Sequence, residues 1–535
     1  MKAGENRQWL RCSMVAAFSA LMCLSTAQIA EAETYKATNW NQVQSYINGA
    51  ENDDVIDLSS LPSPSDGVLG IGRQVYTIKI PQGKSITLKG NSGTTYINTA
   101  FVFEGNNTIT IEDLKIISAN SHNGSENGTP NGGNVAYSPL YFAKGDNVLA
   151  LKGTNVIKSG QSSAAANYGA AVNITNQAKL TITAETGNAS LAASGGTSGA
   201  GIGGGEKSQS GDIIISGGDI TANGGDYAAG IGNGGGGSTI GDITINGGTV
   251  QAKGKSGAAG IGGGSATEAD NVNSITISGG TVTATGANRG VVIGIDYGGS
   301  GIGGGGGAKG IVGSITISGG NVTATGLQSA AGIGSGGNEN SKIDDITISG
   351  GIVNATGGRW GAGIGNGGYS SSILSKIAIT GGTITAKGGE KSAGIGNGSE
   401  NTVGNIVIDG GSVRALDSSS KTSVLPLPHN SAGTDVYLNT LSIPNHIDEY
   451  VAEGSINNTD CGDVPDAQAG IYGINGVITT SDANKINGNL YFYLPASGED
   501  GEEILLIPSG ITYGTYGVRY VRESNDSSAD TCRST

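Results

Sequence analysis

The fold is decided by the stretch Ile315-Thr316-Ile317-Ser318-Gly319-Gly320-Asn321-Val322-Thr323-Ala324-Thr325, which is followed by Ala331-Gly332-Ile333-Gly334. Seven versions of it lie between residues 199 and 416. Successive Gly-Gly pairs are 30, 32, 40, 31, 31 and 29 residues apart, and they begin at Gly217, Gly247, Gly279, Gly319, Gly350, Gly381 and Gly410. The isoleucine of the Gly-Ile-Gly segment recurs in step with the Gly-Gly pairs, at Ile202, Ile231, Ile261, Ile302, Ile333, Ile364 and Ile395. Such a period predicts a solenoid, in which each unit buries its apolar face only against its neighbours.

Within one repeat, apolar and polar residues alternate on both sides of the Gly-Gly corner, which is typical of half-buried strands. With the short Gly-Ile-Gly segment, each repeat supplies three strands and three turns. We therefore predict an all-β protein, a right-handed parallel β-helix. In it Ile315, Ile346 and Ile377 are neighbours in an internal ladder. An array of β-sandwich domains is the alternative, but it requires longer repeats with about seven strands each.

The flanks of the array are less regular. Residues 33–198 are predicted to hold a cap and irregular coils: Trp40, Val43 and Ile47 have the spacing of a short amphipathic helix, and period-two strands follow. The polar segment 118–137 is predicted to be a protruding loop. After the regular repeats of residues 199–416, we predict a linker over 417–432 and a small C-terminal β domain over 433–535.

Residues 1–32 resemble a secretory signal. Lys2, Arg7 and Arg11 precede an apolar segment, and Ala30-Glu31-Ala32 fits a small-x-small cleavage site. A transmembrane anchor is the alternative, but this apolar segment is short for one, and no run of 20 apolar residues follows it. We predict an exported protein, secreted or at the cell surface, with no transmembrane span in the mature chain.

Removal of the signal leaves two cysteines, Cys461 and Cys532. In an exported chain they are predicted to form a disulfide, with two free thiols as the alternative.

The chain is acidic, with 29 basic and 44 acidic residues and a formal net charge of −15. Acidic surfaces repel phosphate backbones, which argues against nucleic acid and anionic membranes as partners. Neutral glycans and calcium are compatible with this charge. However, the glycine runs lack the recurring aspartate of calcium-binding β-rolls. We predict no cofactor.

The unit from Ile275 to Gly286 and the segment Ala259-Gly260-Ile261-Gly262 resemble the glycine-rich β-helix repeats of bacterial surface proteins. The resemblance implies a carbohydrate-binding or adhesin-like protein whose ligand is a polysaccharide or a host or cell-surface glycan.

Candidates for catalysis are few. Glycoside hydrolysis needs paired carboxylates, and Asp344-Asp345 is interpreted as a turn pair whose side chains point to opposite faces. No catalytic or metal-binding residue is predicted, although a polysaccharide lyase or hydrolase and a ligand-free spacer remain alternatives.

The turn between the second strand and Gly-Ile-Gly varies from one repeat to the next. In a stack these turns align along one edge, where aromatic and arginine side chains can stack on sugars and hydrogen-bond to them. Ordinary solvated turns are the alternative interpretation. The predicted ligand-binding residues are Tyr227, Arg289, Asp296, Tyr297, Arg359 and Trp360.

Overall fold

The computed structural model describes residues 32–61, 76–97, 99–117, 138–160, 169–265, 270–292, 295–307, 310–337, 341–368, 372–390, 392–398 and 402–416, and five short strands beyond them. The predicted signal (residues 1–32), apart from residue 32, and the predicted loop 118–137 lie outside these residues.

The described chain winds into a parallel β-helix, as predicted. Each regular coil contributes two consecutive strands to one large parallel sheet and a short third strand to a second, 11-stranded sheet. The first strands of the coils are Thr34–Lys36, Asp54–Asp57, Ser85–Lys89, Thr108–Glu112, Gly145–Lys152, Ala178–Ala184, Asp212–Ile215 (preceded by Gln209–Ser210), Thr239–Ile245, Asn271–Ile277, Ile311–Ile317 and Lys342–Ile348.

The second strands are Tyr96–Ile97, Lys115–Ile117, Thr154–Lys158, Ser190–Ser194, Asp219–Asn223, Thr249–Lys253, Thr281–Thr285, Asn321–Thr325 and Ile352–Thr356. In the last two regular coils the first and second strands are continuous, over Ile373–Lys387 and Thr402–Leu416. The third strands are Tyr76–Ile80, Thr99–Phe103, Leu140–Phe142, Val172–Ile174, Ile202–Gly203, Ile231–Gly232, Ile261–Gly262, Ile302–Gly303, Ile333–Gly334, Ile364–Gly365 and Ile395–Gly396.

Equivalent residues of successive coils stack directly on one another. Ile315 pairs with Ile346, and Ile346 pairs with Ile377, in parallel register. All three side chains are buried. The third strands stack in the same way, from Ile202 to Ile395. The predicted internal ladder is therefore confirmed.

The irregular N-terminal coils belong to the same stack. Ile86 pairs with Ile109, Ile109 with Leu149, and Leu149 with Ile182, whose neighbour is Ile215 of the regular array. One apolar column thus passes from the irregular coils into the regular ones without interruption.

One α-helix, Trp40–Gly49, lies near the start of the described residues, as the sequence predicts. The side chain of Asn39 caps it by accepting a hydrogen bond from the backbone N–H of Gln42, at 3.0 Å. Val43 and Ile47 are buried in the same core as the strands. The helix therefore covers apolar side chains of the first coils.

A row of alternating charges lies on the first strands of the N-terminal coils. In parallel register, Lys36 pairs with Asp57, Asp57 with Lys89, Lys89 with Glu112, and Glu112 with Lys152. Glu112 lies 3.0 Å from Lys89 Nζ and 3.1 Å from Lys152 Nζ, and its side chain is only 14% exposed. We call these five residues the charge ladder.

The parallel sheet continues beyond Leu416. Thr440–Ser442 and Glu449–Ala452 pair in parallel with Thr402–Leu416, so the stack extends into the range that the sequence assigns to the C-terminal β domain. Three further strands, Tyr491–Phe492, Arg519–Val521 and Cys532–Arg533, form a small mixed sheet. Cys461 and the predicted linker (residues 417–432) lie outside the described residues, so the disulfide with Cys532 stays a prediction.

Candidate functional site

An open groove of about 580 Å³ lies along the edge where the second strands end. We call it the edge groove. It crosses three successive coils, which contain the strands Asn321–Thr325, Ile352–Thr356 and Ile373–Lys387. Its lining residues are Asn288, Thr325, Gly326, Leu327, Gln328, Thr356, Gly357, Gly358, Arg359, Lys387, Gly388, Gly389 and Glu390.

Glycines follow the end of each strand and give the groove its depth. A Cβ added to Gly357 would overlap the carbonyl oxygen of Gly361, and one added to Gly388 would overlap that of Ala393. Because the backbone passes so close, these positions carry no side chain. The glycines therefore form a low floor between rows of longer side chains.

Two rows of polar side chains flank that floor. Thr325, Thr356 and Lys387 occupy equivalent positions at the ends of the second strands and are paired in register. Gln328, Arg359 and Glu390, from the turns that follow, also line the groove. The groove thus offers one residue of each row per coil, and strand spacing sets the interval at about 4.8 Å.

Arg359 has two partners on this edge. Its guanidinium carbon lies 4.6 Å from the centre of the Trp360 ring, and its Nε is 2.9 Å from Glu390 Oε2. Both charged side chains are more than half exposed, so the ion pair contributes little stability. The contacts orient the arginine over the aromatic ring and leave it accessible to a ligand.

A second cluster lies further towards the N-terminal end of the same edge. Tyr227 is 42% exposed, and the Arg289 guanidinium carbon lies 5.6 Å from its ring centre. Asp226 Oδ1 is 2.8 Å from Lys255 Nζ and accepts a hydrogen bond from Ser256 Oγ at 3.1 Å. Arginine over an aromatic ring therefore occurs twice along the edge.

The extra residues of the 40-residue repeat form an antiparallel hairpin, Asn288–Val292 with Ile295–Gly298. Asn288 at its base lines the edge groove. Tyr297 is half-buried, and Asp296 pairs with Val291, although its side chain lies outside what the structure describes.

The structure places the predicted ligand-binding residues in three groups. Arg359 and Trp360 are at the edge groove, Tyr227 and Arg289 form the second cluster, and Tyr297 is in the hairpin. Tyr227 and Trp360 are four coils apart, or about 19 Å by strand spacing. The residues therefore share one edge and do not form a single compact site.

Sequence reasoning missed the threonine row and the glycine floor. Thr325 and Thr356 end strands in which apolar and polar residues alternate, and that alternation predicts only that their side chains lie outside the core. The signal that could have identified them was their position directly before the glycine in each repeat, beside the variable turn.

The interpretation of Asp344-Asp345 as a turn pair on opposite faces is wrong. Both aspartates lie inside the strand Lys342–Ile348, and both are kept out of the core. Buried Ile343 and Ile346 are three residues apart, so two polar residues fall between them and strict alternation is interrupted. Asp344 Oδ1 is 2.6 Å from Lys342 Nζ.

The described residues contain no group of three or more histidine, cysteine, aspartate or glutamate side chains that could hold a metal ion. Among the helices of the described part of the chain, none is long and apolar enough to cross a membrane.

Six segments match the family model described as a beta helix repeat: residues 213–235, 243–265, 275–306, 315–337, 346–368 and 377–399. They coincide with six of the seven repeats recognised in the sequence. No curated protein and no solved structure matches the chain.

Proposed function

We propose that this parallel β-helix repeat protein binds glycan chains in the edge groove, outside the cell. The observation that carries the proposal is the groove itself, a concave strip in which one strand-end side chain and one turn side chain, all of them polar, recur in each coil. A ligand with a repeating chain can meet one polar side chain of each row at every step along such a strip.

The groove contains the groups that sugar recognition uses. Threonine hydroxyls and the Gln328 amide donate and accept hydrogen bonds, and Arg359 donates several from one planar group. Trp360 is next to Arg359 and just outside the groove lining; a sugar ring can pack on the ring face that the guanidinium does not cover. All of them are held on a rigid stack of strands, the arrangement in which loops commonly acquire binding roles.

An exported location fits this role and depends on the signal-like residues 1–32. A glycan on a cell surface or in an extracellular matrix would then be accessible. Mass spectrometry of the protein recovered from its native host should find a chain beginning after Ala32. An intact N-terminus would argue against export by this signal.

Retention on a panel of insoluble acidic and neutral polysaccharides tests the binding function. We expect Thr356→Ala and Trp360→Ala each to weaken retention by about two- to tenfold, since each removes about 0.5–1.5 kcal/mol of interaction. Thr283→Ala is the matched control, because Thr283 is an exposed threonine of an equivalent strand outside the groove. Retention of none of the polymers by the wild-type protein would refute the proposal.

A further inference from the structure

The edge that carries the groove has a charge opposite to that of the whole chain. Its described turn and strand-end residues are 223–228, 253–258, 285–289, 325–330, 356–361 and 387–390. They contain five basic side chains, Lys253, Lys255, Arg289, Arg359 and Lys387, and two acidic ones, Asp226 and Glu390, which gives 5 − 2 = +3. The complete chain has 29 basic and 44 acidic residues.

The positive charge extends along the stack axis. Lys253 pairs in register with Thr285, Thr285 with Thr325, Thr325 with Thr356, and Thr356 with Lys387. A lysine therefore stands at each end of a row of three threonines. Four coil steps separate the two lysines, or about 19 Å by strand spacing.

The arginines lie beside that row, on the turns. Arg289 and Arg359 each lie over an aromatic ring, 5.6 Å and 4.6 Å from the ring centres. The two acidic residues are already engaged, Asp226 with Lys255 and Glu390 with Arg359. The cations outnumber these two acids by three.

Local charge matters here more than the net charge of −15. At physiological ionic strength, interactions between exposed charges are screened beyond about 8 Å. A ligand in the groove therefore interacts with the edge and little with the acidic remainder of the chain. A local field of one sign also raises the concentration of oppositely charged ligands and their rate of association.

We infer that the edge groove selects an anionic polysaccharide, a chain of carboxylated sugars lying along the stack axis. This inference rests on the proposed glycan-binding function. The threonines and Gln328 hydrogen-bond to hydroxyl groups, while the lysines and arginines bind carboxylates, arginine with two parallel hydrogen bonds where the geometry allows. An extended peptide fits the groove less well, because its side chains on one face repeat about every 6.8 Å and the coils about every 4.8 Å.

Two polymers with the same backbone provide the test: polygalacturonate and its fully methyl-esterified, uncharged form. We expect the wild-type protein to bind polygalacturonate at least tenfold more tightly, and to lose that preference as salt is raised towards 1 M. The double variant Lys253→Gln/Lys387→Gln should bind polygalacturonate about three- to tenfold more weakly, and its preference for polygalacturonate over the esterified polymer should shrink.

Lys376→Gln is the control, because Lys376 is an exposed lysine of the same array on the first strand, away from the groove. It should leave both affinities unchanged. If the esterified polymer binds as tightly as polygalacturonate, or if Lys376→Gln has the same effect as the double variant, charge selection is refuted and glycan binding stands. If the wild-type protein retains no polysaccharide of any kind, the proposed function itself fails.

Discussion

Replacing Gly332 by alanine tests whether close backbone packing between coils holds the stack together. A Cβ on Gly332 would lie 2.6 Å from the Thr356 nitrogen, 2.7 Å from the Gly363 oxygen and 2.8 Å from the Thr356 oxygen. Ordinary contacts begin at 3.4 Å, so the next coil must move away by up to 3.4 − 2.6 = 0.8 Å. Both oxygens accept hydrogen bonds between coils, Gly363 from Ile333 and Thr356 from Gly326, each at 2.9 Å.

The cost follows from these contacts. Weakening these two backbone hydrogen bonds between coils costs about 0.5–1.5 kcal/mol each. Forcing a methyl group into a packed interior costs about 1–3 kcal/mol more. We therefore expect Gly332→Ala to destabilise the surrounding coils by about 2–6 kcal/mol, which raises local opening at least about 30-fold.

Amide hydrogen exchange is the suitable assay, because a solenoid opens locally and does not unfold in one two-state step. The amides of Gly326 and Ile333 should exchange faster, while those of distant coils should not change. Gly187→Ala is the matched control, since a Cβ there meets no atom within 4 Å and φ is not positive. Gly83→Ala is a second control: φ is +80° there but an added Cβ meets no atom within 4 Å, so this variant measures backbone strain without a packing clash. If Gly332→Ala has no larger effect than Gly187→Ala, the packing argument is wrong.

Three further predictions concern the stability of the stack. Ile346→Ala should cost about 2–5 kcal/mol and Ile346→Val about 0.5–1.5 kcal/mol, measured by hydrogen exchange in the adjoining coils; equal effects would contradict a tightly packed ladder. For Glu112, burial is the largest influence and raises the pKa, but hydrogen bonds from Lys89 and Lys152 outweigh it and hold the pKa below its usual value. Its stabilising contribution is therefore complete above about pH 4.3 and is lost as the pH falls through the lower folded-state pKa; Glu112→Gln should remove this part of the acid sensitivity of the N-terminal coils, and an unchanged pH profile would refute it. Asn39→Ala should destabilise the cap helix by about 1 kcal/mol, seen as faster exchange at its first turn, whereas Asn39→Ser, which keeps a capping oxygen, should have little effect.

The regular array could be predicted from the sequence because two independent landmarks kept the same period. Ile315, Ile346 and Ile377 have the same place in that period, and stacking them is the arrangement that buries all three. The cap helix and many of the first strands in the N-terminal coils could be predicted from the spacing of their apolar residues alone. The right-handed sense and the domain boundaries stay predictions.

Other features depended on three-dimensional register. Among the third strands of the early coils, Tyr76–Ile80 has the period-two alternation that predicts it. Thr99–Phe103 is buried at every position and has neither that alternation nor Gly-Ile-Gly, so only its pairing with Tyr76–Ile80 identifies it. The edge groove was missed for a similar reason: no single repeat contains it, and its rows exist only when Thr325, Thr356 and Lys387 come together.

The charge ladder has a consequence for how this chain finds its alignment. In the regular array, a strand that skipped one coil would still place isoleucine on isoleucine, so the repeats themselves hardly penalise such a mismatch. The same error among the N-terminal coils would bring Lys89 against Lys152, two like charges side by side, which is unfavourable. The charge ladder thus fixes which N-terminal coils pair with each other. Folding that starts in these coils would then add the nearly identical regular coils in the correct order.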